Sequence, residues 1–99
     1  MQFDSCSLDV KLAVDIGDAK LVRDFVEKTI HVQAVGTPFV ATLQFEASID
    51  GSEWTTVAIM TGPGIVRVAD PWYWLRVNTT IYTSGSPACV LAYRDSRTS

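Results

Sequence analysis

Apolar and polar residues alternate from Phe39 to Ile49, and this alternation predicts a β-strand with one buried and one wetter face. Residues of one parity are apolar, whereas most residues of the other parity are polar. Successive side chains of a strand point to opposite faces, so the apolar set faces a core. The pair Asp50-Gly51 tolerates positive φ and predicts a tight reversal into a second strand near Trp54.

The same period of two recurs along the chain and predicts about seven strands. Turn-forming residues such as Gly36-Thr37-Pro38 and Gly62-Pro63-Gly64 separate them at regular intervals. We therefore predict an all-β fold, a single antiparallel β-sandwich with immunoglobulin-like or jelly-roll connections. The predicted strands cover residues 6–14, 29–35, 39–49, 54–60, 65–69, 72–79 and 87–94.

The segment 19–28 breaks the alternation and is open to two interpretations. Leu21, Val22, Phe25 and Val26 recur at a spacing that suits a short helix. The same spacing suits a loop that places hydrophobic anchors on the rim of the sandwich. The all-β character of the remaining chain favours the loop.

Composition agrees with one globular domain over residues 1–99, ending in a mobile tail at about 95–99. No apolar run is long enough to span a bilayer, and the first residues lack the features of a signal peptide, so we expect synthesis in a cytoplasm. Cys6 and Cys89 are expected as free thiols, the usual state in a reducing compartment. A disulfide between these two terminal strands is the alternative.

Charge and motif content exclude most chemistry. The net charge of −3 provides no basic surface for nucleic acid. The single histidine, His31, lies in a predicted strand without a sequence-local partner for acid–base catalysis. The carboxylates of Asp50 and Glu53 are too few for a calcium loop, and two cysteines with one histidine are too few for zinc. We predict a protein that is not an enzyme and that holds no metal or cofactor.

The strand 72–79 is the strongest candidate for function. One parity carries Tyr73, Leu75 and Val77, and the other carries tryptophans next to an arginine and an asparagine. The tryptophans lie on an outer recognition surface, or else they cap the edge of the sandwich or lie under a loop. The candidate partner-interface residues combine this strand with the segment 19–28: Trp72, Trp74, Arg76, Leu21, Val22 and Phe25.

A first resemblance joins ASIDGSEWTTV at 47–57 with YWLRV at 73–77. These motifs resemble the discoidin-like sandwich domains, many of which bind carbohydrate or lipid. The resemblance implies that Trp54 fills the sandwich and that Asp50-Gly51 makes the turn. It also implies an alternative function as a carbohydrate-binding module, in which Trp72, Tyr73 or Trp74 stacks on a sugar.

A second resemblance covers more of the chain, with EKTIHVQ at 27–33, ATLQFEAS at 41–48, DGSEW at 50–54 and CVLAYR at 89–94. These segments are similar to small structural proteins of tailed phages. The resemblance implies a capsid decoration (cement) protein, made in the bacterial cytoplasm and located on the capsid exterior of the virion. Its expected partners are the major capsid protein and further copies of itself, as a trimer, with no nucleic acid or membrane. A neck or tail adaptor is the alternative within the virion.

Overall fold

The computed structural model describes residues 3–23, 25–68 and 72–95. Within these residues the chain is all-β, and no helix is long and apolar enough to cross a membrane. The predicted mobile tail at 95–99 lies outside the described residues, apart from the strand residue Asp95. The strands are β1 Phe3–Leu8, β2 Asp15–Ile16, β3 Lys20–Leu21, β4 Phe25–Ala34, β5 Val40–Ser48, β6 Thr55–Met60, β7 Gly64–Val68, β8 Trp74–Ser84 and β9 Pro87–Asp95.

The strands form two antiparallel sheets, which confirms the predicted β-sandwich. The four-stranded sheet has the order β1-β9-β4-β7, and the second sheet has the order β2-β8-β5-β6, with β3 also paired to β8. Most connections carry the chain from one sheet to the other, whereas β5 and β6 form a hairpin within one sheet. The seven longer strands correspond to the predicted ones, and two strands of two residues each add to them.

The core lies between the sheets, and most of the long strands contribute residues of one parity to it. Ile30 and Val32 of β4 and Leu43 and Phe45 of β5 are fully buried. They share this core with residues of β8 and β9, including the fully buried Leu91. The period of two in the sequence therefore identifies the buried face of these strands correctly.

The first strand is shorter than predicted. It ends at Leu8, and the alternation that continues to Val14 does not belong to a strand, because Leu12 and Val14 are exposed. The carboxylate of Asp9 accepts a 2.7 Å hydrogen bond from the Asp18 amide, so the chain curls back on itself there.

The segment 19–28 is neither a helix nor a simple loop. Lys20 and Leu21 form β3, and β4 begins at Phe25, four residues before its predicted start. The strand tolerates this extension through a bulge between Val26 and Thr29, where Glu27 has a φ of 52°. Leu21 is exposed and Val22 is fully buried, so the two apolar neighbours do not share one face as they would on an amphipathic helix.

The two cysteines are free thiols on neighbouring strands, β1 and β9. Cys6 lies opposite Leu91 and Cys89 lies opposite Leu8, so the two cysteines are not directly paired across the strands. Burial raises the pKa of Cys89 to about 12 and also raises the pKa of Cys6. The thiols therefore serve as small core residues, and the disulfide alternative is not realised.

Candidate functional site

The candidate site lies on the sheet formed by β2, β3, β8, β5 and β6, on the side that faces away from the core. We call this side the outer face. On β5 and β8 it displays the parity opposite to the core. Strand pairing places Glu46 beside Arg76 and Gln44 beside Asn78. Ser48 lies beside Trp74 in the same register. The outer face therefore collects residues about thirty positions apart in the sequence.

A hydrogen-bonded ion pair occupies its centre. Arg76 Nε donates to Glu46 Oε1 at 2.7 Å. Glu46 Oε2 accepts hydrogen bonds from Gln44 Nε2 at 2.7 Å and from Asn78 Nδ2 at 3.3 Å. Glu46 is only 7% exposed, so these three donors replace the lost hydration of its carboxylate.

Burial and hydrogen bonding act in opposite directions on Glu46. Burial by itself would raise the pKa of this carboxyl group, but the hydrogen bonds from Arg76, Asn78 and Gln44 lower it. The hydrogen bonds prevail, and the pKa lies below the ordinary value for glutamate. At neutral pH, Glu46 is ionised and its charge is balanced by Arg76.

Trp54 lies against the arginine of this ion pair. The Arg76 guanidinium carbon lies 4.0 Å from the ring centroid of Trp54, a cation–π arrangement. The expectation that Trp54 fills the sandwich is therefore wrong, since the residue precedes β6 and is not part of the core. The Arg76 guanidinium thus contacts both the Glu46 carboxylate and the Trp54 indole.

The loop 49–54 links β5 to β6 and is built by two side chains. The Ser48 hydroxyl accepts the amide of Gly51 at 2.9 Å, and Asp50 Oδ1 accepts the amides of Ser52 and Glu53 at 2.8 and 3.0 Å. The predicted two-residue turn is thus a wider loop, although Asp50 and Gly51 have the turn-forming roles predicted for them. The acidic residues of this loop form no metal-ligating cluster within the described residues.

This loop is packed against Trp74. Gly51 has a φ of 80°, and a Cβ at this position would lie 3.3 Å from Trp74 Nε1. The glycine thus satisfies both the left-handed backbone and the close approach of the indole. Trp74 lies beside Ser48, the last residue of β5, at the end of the outer face where the loop begins.

Exposed apolar residues flank the polar centre on both sides. On the β2–β3 side, Ile16 lies opposite Asn78 and Leu21 lies opposite Trp74. On the β6 side, Ile59 is 57% exposed, and further along β8 Ile81 is 58% exposed. The charged and polar groups at the centre already have hydrogen-bond partners, and exposed aliphatic residues surround them. Another protein can cover such a surface without burying an unpaired charge.

The structure brings three of the six predicted interface residues together. Trp74, Arg76 and Leu21 share the outer face, and Leu21 pairs directly with Trp74. Trp72 lies before β8 and is half-buried against the core, so it matches the alternative of a covered tryptophan. Its indole nitrogen is buried without a hydrogen-bond partner among the described residues.

The other two predicted residues lie elsewhere. Val22 is fully buried, so its burial removes it from any surface of this chain. Phe25 is half-buried and stacks on Tyr93, with ring centroids 3.5 Å apart and an interplanar angle of 7°. Both belong to the packing of the sandwich and not to the outer face.

Sequence reasoning missed the residues that complete the outer face: Glu46, Gln44, Trp54, Ile59 and Ile81. Glu46 and Gln44 do carry a signal, because they occupy the polar parity of the predicted strand at 39–49. Their partner, Arg76, becomes apparent only once β5 and β8 are known to be neighbours. Ile81 falls after the predicted end of its strand, which continues to Ser84.

Comparison with known proteins gives one structural relationship. The chain matches no protein-family model, and no curated protein matches it by sequence. Its fold is similar to that of the SPBc2 prophage-derived protein YomS, with a TM-score of 0.69 over 93% of this chain and 92% of that chain. Sequence identity between the two is 14%, so the similarity establishes a shared β-sandwich fold.

Proposed function

We propose that this protein is a structural component of a tailed-phage virion, a decoration protein that binds the head exterior and bridges neighbouring capsid subunits. The outer face is the observation that carries this proposal. The similarity of the chain's fold to that of a prophage-derived protein supports a phage origin. In this role the chain acts by binding alone and requires neither a cofactor nor a catalytic residue.

The outer face has the composition of a protein-binding surface. Its aliphatic residues, such as Ile59 and Ile81, offer area to bury. Its charged centre is already neutralised, because Glu46 and Arg76 satisfy one another. A partner that covers this region gains hydrophobic burial without having to supply a counter-charge.

A symmetric capsid strengthens such an interaction. A homo-oligomer that contacts several identical capsid subunits converts modest individual contacts into a high overall avidity. The outer face thus needs only moderate affinity per copy. This reasoning favours the head surface, where the same contact is repeated many times, over a neck or tail position with few copies.

Copy number in purified virions tests the proposal. We expect quantitative mass spectrometry to find the chain in numbers comparable to the major capsid protein. A few copies per particle would instead support the neck or tail adaptor. Absence from the particle would overturn the virion role altogether.

A matched pair of variants tests the outer face itself. Ile81→Asp places a charge on the outer face, and Ile65→Asp places the same charge on the opposite sheet, where Ile65 is 65% exposed. In an add-back assay with heads that lack the protein, we expect I81D to weaken binding by roughly tenfold or more and I65D to bind normally. Equal effects of the two variants would contradict the assignment of the outer face.

A further inference from the structure

The sandwich has four lateral sheet edges, and three of them carry features that discourage pairing with another strand. The edge strand β1 contains Asp4, and the edge strand β7 contains Arg67. The edge formed by β2 and β3 consists of two-residue strands that carry Asp15 and Lys20. Charged residues and short length are the usual protections of exposed sheet edges.

The fourth edge, β6, has a β-bulge at Val57 but neither the charged residues nor the short length of the others. Its sequence, TTVAIM, contains no charged residue and no proline. Among the described strands, β6 pairs with β5 alone, so its other side presents unpaired backbone donors and acceptors. Threonine, valine and isoleucine also favour extended backbone. The edge is therefore suited to adding a further strand.

The faces of β6 are set by its pairing with β5. Thr56 and Ile59 lie opposite Glu46 and Gln44 and point outward. A bulge at Val57 allows these two residues, three positions apart, to share one face. Thr55 and Met60 lie opposite the buried Ala47 and Leu43 and point toward the core side.

This arrangement is self-complementary. If β6 pairs antiparallel with β6 of a second copy about a two-fold axis between Val57 and Ala58, Thr56 meets Ile59 of the other copy on the outer side. Thr55 then meets Met60 on the inner side. Val57 and Ala58, which both pack against the core, meet each other at the axis. All six residues thus pair with the correct facing, whereas a shift by one residue would bring outward residues against inward ones.

We propose that β6 is a self-association edge, through which two copies of this chain join their sheets into one continuous sheet. The axis of this pair is perpendicular to the sheet, so both outer faces point the same way. The partner is a second copy, because the match of facing along β6 is to β6 itself. The proposal is independent of the capsid role, and it predicts a two-fold pair in place of the trimer expected from the sequence.

The test uses charge placed on the two outward residues of β6, both of which are exposed. In Thr56→Lys/Ile59→Lys, each new lysine faces one lysine of the other copy, so the dimer contains two like-charged pairs. In Thr56→Lys/Ile59→Glu, each lysine faces a glutamate. Like charges directly opposite each other weaken strand pairing, and opposite charges strengthen it.

Sedimentation velocity over a range of concentrations measures the outcome. We expect the wild type to form dimers. We expect the dimer dissociation constant of the lysine–lysine variant to be roughly tenfold higher than that of the lysine–glutamate variant. Thr56→Glu/Ile59→Lys, which has the same net charge as the lysine–glutamate variant, should associate equally well. Circular dichroism of each variant checks that the sandwich is folded.

Hydrogen exchange provides a second measurement that needs no variant. Exchange of the β6 amides in the wild type should slow as the dimer forms, while that of the β1 and β7 edges stays unchanged. A monomeric wild type at every concentration, a trimer, or equal association of the like-charged and oppositely charged variants would overturn the proposal.

Discussion

Arg76 Nε donates a 2.7 Å hydrogen bond to Glu46 Oε1, and the two residues are direct neighbours across β8 and β5. This contact joins the two central strands of the sheet on its outer side. The same arginine lies 4.0 Å from the Trp54 ring centroid and so connects the strands to the loop that precedes β6. The pair thus organises the outer face on which the proposed function depends.

Removing the arginine should destabilise the protein. Arg76→Ala leaves the buried Glu46 carboxylate with only its two amide donors and removes the cation contact of Trp54. We expect the free energy of unfolding to fall by about 2 kcal/mol, the usual scale for a hydrogen bond to a charged group. Urea denaturation measures this loss.

The matched control is Arg67→Ala on β7, where the arginine is exposed. That change should alter the free energy of unfolding by less than about 0.5 kcal/mol. Equal losses in the two variants would show that the Glu46–Arg76 pair contributes nothing specific.

The lowered pKa of Glu46 predicts a pH dependence of stability. In the unfolded chain the pKa is near the ordinary value for glutamate, about 4.3. The folded state binds the proton more weakly, so ionised Glu46 stabilises the fold above that pH. This contribution is lost as the pH falls through the lower pKa of the folded state.

A comparison of the wild type with Glu46→Gln isolates this effect from other carboxyl groups. Between pH 7 and pH values below about 4, urea unfolding should show a larger loss of stability in the wild type than in E46Q. Other carboxyl groups with lowered pKa values, such as Asp9 and Asp50, are present in both proteins and cancel in the comparison. If the free energy of unfolding changed with pH in the same way in both proteins, Glu46 would not have a lowered pKa in the folded state.

Gly51 should tolerate substitution poorly. Gly51→Ala places a Cβ on a residue with a φ of 80° and within 3.3 Å of Trp74 Nε1. We expect a loss of about 1 kcal/mol in thermal or urea unfolding, together with altered tryptophan fluorescence. Gly62→Ala is the matched control, since a Cβ there has open space and the backbone is not left-handed. Similar losses at both glycines would argue against a strained loop.

The two thiols should differ in reactivity. Burial raises the pKa of Cys89 to about 12, so its thiol is almost entirely protonated at pH 8 and also shielded from reagents. Cys6 is only half-buried. Alkylation followed by mass spectrometry should modify Cys6 before Cys89 in the native protein and both rapidly after denaturation. A native protein that shows no free thiol would instead indicate a disulfide.

The fold was largely predictable because strand alternation is a local property. The buried parity of β4 and β5 was visible in the sequence, and so was the role of Asp50 and Gly51 in forming a turn. The errors occurred where local patterns compete. The alternation after Leu8 looked like a strand, but the chain folds back there and Asp9 accepts a hydrogen bond from the Asp18 amide.

The outer face was predictable only in part. Trp74 and Arg76 were identified because they are conspicuous on the polar parity of a strand. Trp54 was assigned to the core by analogy, although it lies over Arg76 on the outside. Val22 and Phe25 were grouped with them by proximity in the segment 19–28, yet each faces the interior of the sandwich or its rim.

The alternation of apolar and polar residues was sufficient to predict an all-β sandwich and the buried parity of β4 and β5, since a residue's parity depends only on its immediate neighbours. The fold then establishes which strands are adjacent, and hence that Glu46 meets Arg76 and that β6 lies at an edge without charge. Strand order depends on contacts between residues far apart in the chain, and the alternation of apolar and polar residues is the same whichever strands become neighbours.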